Sequence, residues 1–144
     1  MRRLFIIRKD LNMSPGKLST QISHCAEAYW TRIIADSINY VGEKYCSISF
    51  CIDKEIMSEY VGGILTKTVC EAKSKTHLLK AKDIARELNL NEGTDYGLIY
   101  DKCLTELDPE EEDGTTLTGI WFRPLPDDIS HKISKKYQLY KGDR

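Results

Sequence analysis

No apolar run in this chain approaches the roughly 20 residues that cross a bilayer as a helix. The run near the start, Leu4-Phe5-Ile6-Ile7, is far too short, and Arg2 and Arg3 precede no long apolar stretch of the kind a secretory leader carries. A membrane span and a leader are therefore not expected. Cysteine occurs five times, with no C-x-x-C pair and no Cys/His zinc spacing. That pattern argues against a structural zinc site and a disulfide scaffold, and it predicts reduced thiols in a cytoplasmic protein. Neither sign of charge dominates: 21 Lys and Arg stand against 22 Asp and Glu, for a net charge of −1. Nucleic-acid-binding proteins usually show a basic surface, so any such surface here has to be local. Internal repeats are absent, and composition is biased in one segment alone, the acidic loop from Glu106 to Asp113.

What is present describes an ordinary globule. The 144 residues are 41% hydrophobic, with mean hydropathy −0.42. Such a length suits a single domain, residues 1–144, around one sizeable core. Basic residues gather near the start (Arg2, Arg3, Arg8, Lys9, Lys17) and again between Lys67 and Lys82.

Strands and helices alternate along the chain. Residues 3–9 read as a buried strand. Ser14 is a good N-cap, Pro15 takes the first helical position, and an amphipathic helix runs to about residue 37. Residues 38–65 form an insert, with an extended stretch near 45–52 and a short helix from Asp53 to Val61 that Gly62-Gly63 ends. Further strands are predicted at 67–72, 96–100 and 115–122. Helices are predicted from residue 75 to about 88 and from 126 to about 136. This alternation implies a mixed sheet covered on both faces.

The segment Lys9-Asp10-Leu11-Asn12-Met13-Ser14-Pro15-Gly16-Lys17 joins the first strand to the first helix. On that helix Lys17, Gln21 and His24 stand at i, i+4 and i+7, within roughly 60° of one another. Leu18, Ile22, Cys25, Tyr29 and Ile33 form a second stripe roughly 100° away. One face packs, and its edge offers a cation, an amide and an imidazole together. A lysine near a helix N-terminus is electrostatically unfavourable unless something compensates it.

The order Asp10-Leu11, Met13, Gly16-Lys17, then Gln21 and His24, resembles the archaeal and eukaryotic type of peptidyl-tRNA hydrolase, Pth2. That family opens with a strand, a D-L-x-M-x-x-G-K turn and a helix carrying Q-x-x-H. A second block agrees: a strand ending at Asp101, Thr105 four residues on, and Thr116 opening the last strand. The resemblance covers most of the chain, and residues 38–65 match it poorly.

The resemblance implies a three-layer α/β/α fold with a mainly four-stranded mixed sheet. It implies hydrolysis of the ester joining a peptide to the terminal ribose of tRNA, with no metal or organic cofactor. Lys17, Gln21, Asp101, Thr105 and Thr116 become the expected catalytic residues, with His24 beside them. Asp101 would orient or deprotonate water, Lys17 would neutralise the oxyanion or tune Asp101, Gln21 would donate to the substrate carbonyl, and the threonines would hold water or a ribose hydroxyl. Arg8, Lys9 and Lys17 are the expected tRNA contacts. Homodimerisation follows from family habit alone.

The chain departs from the family in one loop. Cys103 and Leu104 occupy a stretch where the family's loop is small and carries an Arg before the Thr, and Glu106 replaces a Gln. Glu110 to Asp113 add negative charge beside the expected tRNA path, where it would repel phosphates. Two other readings therefore stand beside the hydrolase. One is a non-catalytic module that grips a basic protein partner through the acidic loop. The other is a hydrolase of a different ester or amide of tRNA or of an amino acid.

Overall fold

The computed structural model describes residues 1–142. Its main sheet has five strands, lying in the order Tyr96–Asp101, Thr116–Phe122, Arg3–Arg8, Lys67–Ala72, Gln138–Leu139. Strand β1 (Arg3–Arg8) lies at the centre, parallel to β4 (Lys67–Ala72) and antiparallel to β6 (Thr116–Phe122). Strand β5 (Tyr96–Asp101) pairs antiparallel with β6. All six residues of β1 are buried, as its unbroken apolar middle requires of a central strand.

Successive β1 side chains enter two different cores. Leu4 and Ile6 join a cluster containing Leu78, Ala81 and Ala85 of α2 (Lys75–Glu87) and Ile133 of α3 (Asp127–Ser134). Phe5 and Ile7 join another, with Cys25 and Tyr29 of α1 (Pro15–Asp36), Met13, Leu107 and Trp121. The two-residue period of a strand thus feeds two helical packing surfaces.

Arg3 ties β1 to α1. Its buried guanidinium donates to the carbonyls of Cys25 (2.9 Å), Ala26 (3.0 Å) and Phe122 (2.6 Å). Burial lowers its pKa, against the pull of Tyr60, Cys25 and Tyr29. Gly119 lets β6 lie close beside β1: a Cβ there would lie 2.7 Å from Ile7 Cδ1 and 3.1 Å from the Ile6 carbonyl.

The sheet has one strand more than expected. Gln138–Leu139 form β7, which runs antiparallel to Cys70 and Glu71 along the open edge of β4. Two residues are too few to show a period in sequence. The insert also resolves differently from its expected form. Strands β2 (Ile38–Val41) and β3 (Tyr45–Ile48) pair as a separate hairpin whose strand residues are all exposed. The expected helix after Asp53 becomes a turn of π-helix, Ile56–Val61, anchored by buried Ile56 and Tyr60. No helix among the described residues is long and apolar enough to cross a membrane.

Candidate active site

Helix α1 begins where the sequence placed it. Ser14 Oγ accepts from the Lys17 backbone N–H at 3.3 Å, and Pro15 opens the first turn. No acidic residue of that turn faces the helix dipole, but two arrive from across the molecule. Glu106 accepts from the Ser14 backbone N–H at 2.8 Å and from the Ser14 hydroxyl. Asp101 receives the ammonium of Lys17, with Nζ 2.8 Å from Oδ1. These anions supply the compensation that a lysine at a helix N-terminus needs.

Asp101 ends β5 and is the hub of the cluster. Its Oδ1 accepts from Lys17 Nζ and from Gln21 Nε2 (3.2 Å), and its Oδ2 accepts from the Cys103 backbone N–H at 2.9 Å. Burial pushes its pKa up, but the bonds from Lys17, Cys103 and Gln21 and the charge of Lys17 outweigh that, and the net shift is downward. Cys103 makes its bond from a left-handed backbone conformation, φ +59°. Lys17 Nζ also donates to Thr105 Oγ1 at 3.2 Å. Lys17 and Asp101 side chains are 12% and 10% exposed, so the pair is largely covered and still meets solvent.

Four of the expected site residues therefore converge: Lys17, Gln21, Asp101 and Thr105. Gln21 is fully buried, with its amide between Asp101 and the Thr118 hydroxyl. It has no exposed edge to donate to a substrate carbonyl, and its place is behind the carboxylate. Thr116 is opposite Asp101 in the ladder, but its hydroxyl serves the loop, donating to the Asp108 carbonyl (2.8 Å) and accepting from the Glu110 N–H (3.0 Å). His24 is exposed on α1, and no hydrogen bond or ion pair joins it to the cluster among the described residues.

Of the expected tRNA contacts, Arg8 is placed elsewhere by the structure. Its side chain is 3% exposed, and its five N–H donors are engaged by both carboxylate oxygens of Asp10, both of Glu110 and the Leu117 carbonyl. Burial alone would lower its pKa, and the two carboxylates raise it well beyond the ordinary value. The guanidinium is a pillar beneath the acidic loop and presents no free edge to a phosphate. Lys9 is more exposed and lies 3.5 Å from Glu71.

The acidic loop proves to be held from below. Besides the Glu106 and Glu110 contacts, Glu111 pairs with Lys75, and Asp113 accepts from the Thr115 backbone N–H and hydroxyl. The pKa values of Glu106 and Glu110 are lowered, the first chiefly by the Ser14 hydroxyl and the second chiefly by Arg8. Residues missed in sequence are Thr118, Ser14 in its second role, and the Glu106 and Glu110 anchors. Strand alternation placed Thr118 on the same face as Thr116, and that was its available signal.

The family model Peptidyl-tRNA hydrolase PTH2 matches residues 1–140, and the chain belongs to that family. It is 28% identical to a peptidyl-tRNA hydrolase of Thermococcus sibiricus over 138 residues, covering 96% of each chain. Similarity to the enzyme of Thermoplasma acidophilum is 24% over 140 residues, covering 96% of this chain and 97% of the relative. For Saccharolobus islandicus it is 22% over 139 residues, covering 96% and 98%.

Proposed function

We propose that this protein is a peptidyl-tRNA hydrolase that frees tRNA by cleaving the ester between a peptide and the terminal ribose, acting in the cytoplasm on tRNA as its partner. The observation that carries the reading is the bridge made by Lys17 Nζ, 2.8 Å from Asp101 Oδ1 and 3.2 Å from Thr105 Oγ1. A cation fixed at this point and still open to solvent suits an ester whose carbonyl oxygen becomes negative during attack.

In this reading water attacks the carbonyl carbon, Lys17 offsets the charge that gathers on oxygen, and the carbon–ribose oxygen bond breaks. The ribose oxygen leaves with a proton, and the peptide leaves as a carboxylic acid. Asp101 is a weak base, because its partners hold its pKa below the ordinary range. Its main work is to hold Lys17 and to accept a hydrogen bond from the incoming water. Charge stabilisation comes from Lys17 in a metal-independent scheme.

The binding-module alternative has less free charge to draw on, since Glu106, Glu110 and Glu111 are engaged within the chain. The test is deacylation of an N-blocked aminoacyl-tRNA by the wild-type protein and by Asp101→Asn. The variant is expected to fold and to lose roughly two orders of magnitude or more in rate, the scale for weakened stabilisation of the oxyanion by Lys17. Full activity in a folded Asp101→Asn protein would remove the residue from the reaction. An inactive wild type would sink the hydrolase reading.

A further inference from the structure

Strand β6 carries one residue more than β5 beside the site. Ile99 pairs with Gly119 and Tyr100 pairs with Leu117, so Thr118 is the extra residue at a bulge in the ladder. Bulges re-aim side chains, and this one turns a hydroxyl toward α1. Thr118 is fully buried, and its Oγ1 lies 2.6 Å from Gln21 Oε1, with the Ile99 carbonyl at 3.2 Å.

The direction of that bond follows from the far end of the amide. Asp101 Oδ1 stands 3.2 Å from Gln21 Nε2, and an ionised carboxylate can only accept. If the amide were reversed, its oxygen would face the carboxylate. Gln21 therefore turns its oxygen to Thr118, whose O–H has to donate. We infer that Thr118 is a positioning residue: its hydroxyl locks the Gln21 amide so that the NH2 end holds Asp101 against Lys17. The consequence for the reaction rests on the hydrolase reading above, but the lock itself does not.

The groups facing Asp101 are few. Helix α1 presents Lys17 and Gln21, the loop presents the Cys103 N–H and, further off, the Glu106 carboxylate, and β6 presents Thr116 and Thr118. Only Lys17, Cys103, Glu106 and Asp101 itself can titrate in this set. Loss of the Gln21 bond removes a donor to the ionised form, so Asp101 protonates at higher pH.

The experiment follows the side-chain carboxyl carbon of Asp101 by NMR through an acid titration, in wild type, Thr118→Val and Thr118→Ser. Thr118→Val should raise the Asp101 midpoint, and Thr118→Ser, which restores a hydroxyl, should return it. The rate of N-blocked aminoacyl-tRNA deacylation at saturation should fall roughly ten- to a hundredfold in Thr118→Val, the scale for a misplaced catalytic group, with KM little changed. An unchanged midpoint in a folded Thr118→Val protein overturns the inference. So does an equal shift in Thr118→Ser, which would trace the effect to packing. If Thr118→Val fails to fold, the pair is tested in a Gln21→Leu background, where both polar partners are replaced together. There Thr118→Val should move the Asp101 midpoint no further, and an additional shift overturns the lock. An inactive wild type defeats the hydrolase reading alone, because the titration reads Asp101 without turnover.

Discussion

Arg8 and Glu110, 102 residues apart in sequence, form an ion pair through both carboxylate oxygens beneath the acidic loop. The loop's first inserted charge is thus the counter-ion of a buried guanidinium. Glu110→Gln should leave Arg8 with Asp10 alone and loosen residues 106–113. Glu110 is 39% exposed, so solvent screens much of the pair. A loss of about 1–2 kcal/mol is expected by denaturant unfolding, well short of the cost of breaking a fully buried pair. Unchanged stability would mean that Asp10 alone satisfies Arg8.

Cys103 sits at φ +59°, a conformation that costs a residue bearing a Cβ roughly 1 kcal/mol or more. Cys103→Gly should therefore cost little, since relief of strain offsets the lost side chain. Cys103→Val adds a branch at the same φ and should lose about 2 kcal/mol more than the glycine variant. Its deacylation rate should also fall, because the Cys103 N–H steadies Asp101. Thermal melts of the two variants decide the point, and equal stability would show that this backbone carries no strain.

Leu104 is 84% exposed beside the site, an apolar tip where the family's pattern has a cation. Leu104→Arg should tighten tRNA binding and steepen its salt dependence by about 0.7–0.9 in the log–log slope, as one added phosphate contact requires. Folding stability should not move. If both binding quantities stay fixed, the tRNA path does not cross this tip.

Acid should release the loop before it unfolds the sheet. Asp101, Glu106 and Glu110 all have pKa values lowered by their partners in the folded state. Their contribution is complete above the unfolded values near 4 and is lost as pH falls through the folded ones. Between those limits the unfolded chain binds more protons, so stability rises with pH. Hydrogen-exchange protection factors across residues 102–113 should stay constant from about pH 8 to 5 and fall below about pH 4. An acid limb near pH 6 in kcat/KM would have to come from a group other than Asp101.

The parts of the fold visible in sequence are those with a strong period or a punctuating residue. Strand β4 and helices α1 and α2 match their predicted spans to within a residue or so, because Ser14 and Ser74 cap them and their apolar faces repeat cleanly. Strand β7 was invisible, since its two residues are set by the edge of β4. In the site, Lys17, Asp101 and Thr105 were legible through the resemblance to the two Pth2 sequence blocks. Gln21 was legible as a member but not in its role, because burial is a property of three dimensions. The Arg8–Glu110 and Ser14–Glu106 pairs were out of reach for the same reason: a charge run reads as solvated until the cations below it are seen.

The β2–β3 hairpin has a further consequence. A single cut in its exposed turn, residues 42–44, would divide the chain without touching either core. The first piece would keep β1 and α1, and with them Lys17 and Gln21. The second would keep Asp101, Thr105 and Thr118, together with β4 and β6, the strands that flank β1 on either side. Neither piece alone would contain the ion pair at the site. Two fragments made separately would thus have to find each other before any ester could be cleaved, and the hydrolytic rate would serve as a direct gauge of their reunion.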